Sequence, residues 1–398
     1  MIRVFKDRGF EFGLSMALGS VATGQADAGE CLAVAGRIKE GDADSWVAAW
    51  AGAGSRAREA AEAAEAAGHR VSARGAWLRA ATYYAMATYS TAGSRRPGAF
   101  DELWTEHRGC WDRAVALFEP PARRVAIPYE HTTLEGYLFR VDESGARRPL
   151  VILNNGSDGP VSAMWAQGAA GVARGYNCLT FDGPGQNAAL VRQHLFFRPD
   201  WEAVLSPVVD YALSLDEVDP DRLAVVGVSQ GGFWVPRAVA FEHRIAAAVA
   251  DPGVWDVGTV WRDRLPGGMR RHLDRGDRAS FERDMAMAQH VSRQRHGELS
   301  FRMRPFGIPS LYDLYQALRA YTLDDVVAGI RCPMLVCDPD NEQFWPGQSR
   351  RLYDALPGPK ALAAFPASEG SDGHCEPRSP AIRNQRVFDW LDETLTCG

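Results

Sequence analysis

The stretch Asp219-Pro220-Asp221-Arg222-Leu223-Ala224-Val225-Val226-Gly227-Val228-Ser229-Gln230-Gly231-Gly232 decides the fold. Leu223–Val226 is a short, wholly apolar run of the kind a doubly covered strand requires, and Asp-Pro-Asp ahead of it is a turn signal. Gly227-Val228-Ser229-Gln230-Gly231 then matches G-x-S-x-G, a sharp strand-to-helix turn that lifts a serine into the open. The pentapeptide alone recurs by chance; strand before and helix after make it specific. Glycines two residues either side of Ser229 let strand and helix close on a strained serine, and the following helix turns its positive end toward the hydroxyl. The bland alternative is a glycine-rich turn with an incidental serine.

Outward from this point the chain has one rhythm. Leu150–Leu153, Tyr176–Phe181, Arg222–Val226, Ile245–Ala250, Met334–Cys337 and Ala361–Phe365 are short apolar strands, with helical stretches such as Val161–Arg174 and Trp201–Leu215 between several of them. That alternation predicts an α/β fold, a mostly parallel sheet with helices on both faces. Before it, Arg123–Glu130 and Thr133–Val141 alternate as a β-hairpin. Residues 1–120 read as helical, with alanine-rich runs at Ser55–Ala67 and Ser72–Ser90; Pro120-Pro121 marks the change to a core at 121–398. Trp46, Trp50, Trp77, Trp104 and Trp111 in the first part are expected to pack between helices. Between the fourth and fifth apolar strands a helical insertion spans about 253–322 and reads as a cap. Together with the N-terminal helices it is placed to roof the carboxyl edge of the sheet, where open α/β folds hold ligands.

A serine of this kind needs a base and an acid, in the chain order serine, acid, histidine. His374 is the one histidine beyond the fifth strand, in the polar loop Ser368-Glu369-Gly370-Ser371-Asp372-Gly373-His374-Cys375. A surface-loop histidine is the bland reading. Three carboxylates follow Pro333-Met334-Leu335-Val336-Cys337: Asp338, Asp340 and Glu342. In many members of such a fold the acid stands four residues before a proline; laid on that template, Pro346 favours Glu342, with Asp340 next and Asp338 behind it, and the acid would hold the imidazole's tautomer and stabilise its cation. Two amides must receive the oxyanion. Gln230, directly after the serine, supplies one; Ser157, in the glycine-containing loop Asn154-Asn155-Gly156-Ser157-Asp158-Gly159, is expected to supply the other. Trp104, Trp255 and Trp261 are candidates to line a pocket for an aromatic or polyketide-like acyl group.

With 398 residues, 46% of them apolar and 24% charged, the composition is that of a soluble globular protein, and a net charge of −6 without a basic block gives no reason to expect nucleic acid. The arginines 262, 264, 270, 271, 275 and 278 are interleaved with acids and read as a solvated helix face. Seven scattered cysteines without metal-type spacing predict free thiols, and no run of about 20 uncharged apolar residues predicts a membrane span. A cytoplasmic location, no metal and no organic cofactor are expected.

These motifs together give the chain a resemblance to the α/β-hydrolase family that includes 2,6-dihydroxypseudooxynicotine hydrolase, the fungal polyketide-shortening hydrolases and, more distantly, the fermentation-respiration switch proteins. The resemblance covers nearly the whole chain. It rests on Asp27-Ala28-Gly29-Glu30-Cys31, Gly41-Asp42-Ala43-Asp44-Ser45-Trp46, Phe181-Asp182-Gly183-Pro184-Gly185-Gln186, Gly227–Gly232, Glu342-Gln343-Phe344-Trp345-Pro346-Gly347-Gln348 and Gly373-His374-Cys375. It implies the α/β-hydrolase fold, Ser229 as nucleophile, His374 as base, an acid in the Asp338–Glu342 loop, a lid of N-terminal helices and often a homodimer. It also implies cleavage of carbon–carbon, ester or amide bonds in catabolic or secondary-metabolite pathways. Asn187 departs from the pattern, standing where a glycine often completes the Phe-Asp-Gly-Pro-Gly-Gln run; a glutamate acid is a second departure. An acyltransferase or cyclase using the same acyl-enzyme, and a non-catalytic ligand-binding homologue, are the rival functions.

Overall fold

The computed structural model describes residues 3–289 and 293–396. Eight strands form one sheet in the order β1-β2-β4-β3-β5-β6-β7-β8. They are β1 Arg123–Tyr129, β2 Thr132–Phe139, β3 Arg148–Asn154, β4 Asn177–Phe181, β5 Val218–Val228, β6 Ala247–Asp251, β7 Met334–Pro339 and β8 Lys360–Phe365. β1 and β2 are the antiparallel hairpin, β2 runs antiparallel to β4, and β3 to β8 are mutually parallel. Pro128, which has no N–H to give, lies in the edge strand β1, where no ladder partner misses it.

Alternation along the strands divides the interior into two cores. In β3, Val151 and Leu153 face one cluster while Leu150 and Ile152 face the other, and Ala224 and Val226 oppose Leu223 and Val225 in β5. The N-terminal helices join the first cluster, and the insertion packs into the second through Trp261, Leu273 and Phe281.

The N-terminal part is helical as read: Arg8–Gly19, Ala28–Ala35, Ala43–Ala66, Arg70–Thr88 and Ala99–Ala116. Asp7, Asp27 and Asp42 cap the first three by accepting amide protons of the first turn. Small residues let the long pair Ala43–Ala66 and Arg70–Thr88 approach closely; a Cβ on Gly54 would fall 2.9 Å from the Tyr84 ring. Trp46, Trp50, Trp77, Trp104 and Trp111 are all buried, and Trp46 Nε1 donates to Met86 O at 2.7 Å. Trp46 and Trp50 pack between helices, as expected, against Phe10 and Tyr83, whereas Trp111 packs edge-on against Tyr137 and Phe139 of β2.

The insertion leaves the sheet after β6 and carries the helices Thr259–Arg262, Gly267–Asp274, Arg278–Gln289, Arg293–Met303 and Leu311–Ala317. Its two ends are stapled: Asp256 and Thr322 form an antiparallel bridge, Val257 N donates to Tyr321 O, and Leu323 N to Trp255 O, each at 3.0 Å. The arginine-rich face is solvated and ion-paired, for example Arg262 to Asp274 and Arg278 to Asp313. Cys31, Cys110, Cys178, Cys332, Cys337 and Cys375 are free thiols; Cys397 lies outside the described residues. Among the described residues no helix is long and apolar enough to cross a membrane.

Candidate active site

Register brings the carboxyl ends of four strands together: Phe181 pairs with Asn154, Asn154 with Gly227, and Val228 with Asp251. At this edge β5 ends and the helix Gly231–Val239 begins, with Ser229 on the turn at φ 58°. Left-handed backbone at a non-glycine residue is costly and persists only when its surroundings hold it. Here the Ser229 amide donates to Asp251 O at 2.7 Å. The flanking glycines are required sterically: a Cβ on Gly227 would lie 2.2 Å from Gly231 O, and one on Gly232 1.9 Å from Pro252 O.

His374 follows β8 and is buried, with its ring reaching back to the turn. Nε2 lies 2.8 Å from Ser229 Oγ, and Nδ1 lies 2.7 Å from Glu342 Oε2. The other oxygen, Glu342 Oε1, accepts from the amides of Phe344 at 2.7 Å and Trp345 at 3.1 Å. Burial pushes the Glu342 carboxyl up, but the charge and hydrogen bond of His374 and the two amides outweigh it and hold it below the usual carboxylate value. An ionised Glu342 can only accept, so Nδ1 carries the ring proton and Nε2 is left to accept from the serine hydroxyl.

Of the three carboxylates, Asp338 in the end of β7 and Asp340 and Glu342 beyond it, only Glu342 meets the imidazole, which corrects the alternatives Asp340 and Asp338. Asp340 is exposed and accepts from the Ala367 amide at 3.0 Å; Asp338 accepts from Arg350 Nε at 2.6 Å. Both are spent on local loop and surface contacts.

The loop after β3 lies against the serine so closely that a Cβ on Gly156 would fall 2.6 Å from Ser229 Cβ. The Gly156 amide is taken by Asn155 Oδ1 at 2.8 Å. Among the described residues the Ser157 and Gln230 amides donate to no protein acceptor; Gln230 follows Ser229 directly, and Ser157 is one residue beyond Gly156. Two residues that sequence reasoning did not single out hold this loop. Asn155 Nδ2 donates to Gly159 O at 2.7 Å and Pro160 O at 2.9 Å, and Gln186 Nε2 donates to Asn155 O and Gly156 O, each at 2.8 Å. Gln186 was visible as the end of the Phe-Asp-Gly-Pro-Gly-Gln run, but its target is remote in sequence. Asn187, the departure noted above, donates to Gly159 O at 2.8 Å and adds a further tie.

A cavity of about 180 Å³ opens on Ser229 and His374 and is walled by Phe12, Met16, Met86, Tyr89, Phe344 and Trp345. Phe12 comes from the first helix, its ring centroid 6.1 Å from that of His374. A larger space of about 750 Å³ adjoins it and shares Phe12, Met16, Tyr89, Asp158, Arg302 and Phe344. The three tryptophans expected here are absent from the walls, a second correction. Trp104 is buried with the Arg192 guanidinium 5.1 Å from its ring centroid; Trp255 lies under Arg351 and donates to Asp324; Trp261 packs edge-on against Phe306 and Tyr315. Packing partners already cover these rings, whereas Phe12, Phe344 and Trp345 face the cavity.

No protein-family model matches the chain. It is 30% identical over 416 residues to Hydrolase LUC6 of a Fusarium species, covering 99% of this chain and 98% of that one. It is 30% identical to Hydrolase acrC of Aspergillus aculeatus over 99% of this chain and 98% of the other, and 29% identical to 20-hydroxy-prefusarin hydrolase FUS2 of Gibberella moniliformis over the same shares. Among solved structures, 2,6-dihydroxy-pseudo-oxynicotine hydrolase superposes with a TM-score of 0.70 at 20% identity, over 96% of both chains. Strand order, the turn that carries Ser229 and relatedness along the full length agree: the chain belongs to the α/β-hydrolase family of these fungal hydrolases.

Proposed function

We propose that this α/β hydrolase works through an acyl-enzyme on Ser229. The reading is carried by the continuous line Ser229 Oγ–His374 Nε2 at 2.8 Å and His374 Nδ1–Glu342 Oε2 at 2.7 Å. His374 takes the hydroxyl proton as Oγ bonds to the substrate carbonyl carbon, and Glu342 stabilises the imidazolium. The carbonyl oxygen, now an anion, is received by the Gln230 and Ser157 amides. Collapse breaks the scissile bond, and the leaving group carries away the electron pair with the proton from Nε2. Water then repeats the sequence and frees Ser229.

The substrate on this reading is a small aromatic or polyketide-like carbonyl compound, cleaved at a carbon–carbon, ester or amide bond. The aromatic walls of the cavity and the hydrolase names of the relatives, one acting on 20-hydroxy-prefusarin, support it. A carbon leaving group needs a ketone or hydroxyarene beside the bond to hold the electron pair. The N-terminal helices are a lid, supported by Phe12 in the cavity wall. Labelling with a fluorophosphonate, with Ser229→Ala as control, tests the reading. Covalent modification at Ser229 alone is expected, together with a loss of turnover in the variant on the order of 10³-fold or more. Folded protein that resists the probe and turns over no ester, amide or β-diketone sinks it and leaves a ligand-binding homologue.

A further inference from the structure

The cavity at Ser229 contains two guanidinium groups, and their surroundings differ. Arg383 is buried, donates to Cys375 O at 3.3 Å and to Asn384, and faces the buried carboxyls of Asp251 and Glu376. Its charge is answered within the protein. Arg302, near the end of the insertion helix Arg293–Met303, is half-buried and makes no hydrogen bond or ion pair among the described residues. Its Cζ lies 5.4 Å from the centroid of the Phe344 ring, which also packs on His374, 4.6 Å between centroids, and on Phe12 and Trp345.

Among the described residues, acids of the same cavities are engaged elsewhere. Asp158 is exposed and accepts from its neighbour Ser157 Oγ, Glu11 is paired with Arg378, Asp340 takes the Ala367 amide, and Asp372 takes Asn341. A cation drawn partly out of water without a counter-charge is unfavourable, and an anion arriving with a ligand repays that cost. Contact with the Phe344 ring steadies the guanidinium where it lines the cavity, and its N–H donors form a fork that matches the two oxygens of a carboxylate.

We infer that Arg302 is a specificity-determining residue that binds a carboxylate of the substrate, beside the Phe344 ring that also packs on the imidazole. The substrate class is a carbonyl compound with a carboxylate remote from the scissile bond. This rests on the acyl-enzyme reading above and adds to it that the insertion supplies the recognition element. The residue acts in binding, not in proton transfer.

The test compares p-nitrophenyl hemiglutarate with p-nitrophenyl pentanoate, acyl chains of equal length with and without the carboxylate. The wild-type protein is expected to favour the hemiglutarate, less so as salt is added. In Arg302→Met the ratio of kcat/KM for the two esters should fall by about tenfold or more, chiefly through KM for the hemiglutarate, and Arg302→Lys should restore part of it. Equal proportional losses on both esters would show a structural role for the side chain and overturn the proposal, as would an unchanged ratio. Failure of the underlying reading looks different: neither ester is turned over and Ser229 resists the fluorophosphonate.

Discussion

Glu342 and His374 meet through a 2.7 Å contact between Oε2 and Nδ1, and the second carboxylate oxygen is fixed by the Phe344 and Trp345 amides. The carboxylate is therefore held in place by backbone as well as by the imidazole. Glu342→Gln should keep the shape of the site but favour the wrong ring tautomer, lowering kcat by roughly 10²- to 10⁴-fold. Asp340→Asn should change it by less than about twofold, because a surface loop contact lies outside the reacting groups. Steady-state kinetics on any ester turned over decides; equal, mild effects from both variants would remove Glu342 from the mechanism.

Gly156 is expected to tolerate no side chain. A methyl group there would lie 2.6 Å from Ser229 Cβ and 3.0 Å from Oγ, with Val228 O also within 2.9 Å. Gly156→Ala must push the loop and its Ser157 amide away from the hydroxyl. A loss of about 10²-fold or more in kcat, with an unchanged circular dichroism spectrum, is expected. Near-normal turnover would show that the loop is not part of the reacting geometry.

Arg108, on the helix Ala99–Ala116, donates to Asp182 Oδ2 at 3.0 Å and to Glu135 Oε2 at 3.1 Å. Asp182 also accepts the Ala188 amide, just beyond the Gln186 that clamps the loop at Ser229. Burial pushes the Asp182 carboxyl up, and the Arg108 charge opposes this only in part. Arg108→Met should leave that buried carboxyl unmatched and cost roughly 3–5 kcal/mol in urea unfolding. Adding Asp182→Asn should recover part of the loss. Additive effects in the double variant would mean that the pair is not coupled.

Asp251 and Glu376 are buried side by side behind His374, and no protein donor reaches their carboxylate oxygens among the described residues. A proton between them makes each the partner of the other. Burial pushes Glu376 well above the usual carboxylate value; the Asp251 charge adds to this, Glu342 adds further, and Arg383 opposes it. Burial likewise pushes Asp251 up, against the charges of Arg383 and His374. The folded chain thus binds a proton more tightly than the unfolded one. The associated stability is present at acid pH and is lost as pH rises from the ordinary carboxylate range toward the raised value, by up to about 1.4 kcal/mol per pH unit for one proton. Glu376→Gln should remove the slope, so its stability relative to wild type improves from weakly acid to alkaline pH. Parallel curves in denaturant titrations across that range would contradict a shared proton.

Strands and turn were legible because their signals are local. A run such as Leu223–Val226 buries on both faces wherever it is placed, and Gly227 answers a steric demand made by Gly231 O four residues on, although the space that Gly231 itself must leave is set by the distant Asn154 and Asn155 carbonyls. His374 was legible through chain order, since only one histidine follows the fifth strand of the core. The acid was legible only as a choice of three, because Asp338, Asp340 and Glu342 share one loop and their directions depend on how it folds back on Phe344 and Trp345. Walls of the cavity were not legible at all. An indole such as Trp261 and a phenyl ring such as Phe12 carry the same apolar drive, and which is spent on packing and which faces the serine depends on how helices some 250 residues apart meet. By itself the sequence determined the sheet, the strained serine turn and the histidine that reaches it. Tertiary structure alone decided which carboxylate holds that histidine, which rings line the cavity and which arginine enters it with no partner among the described residues, because those are contacts between segments that carry no mark of one another.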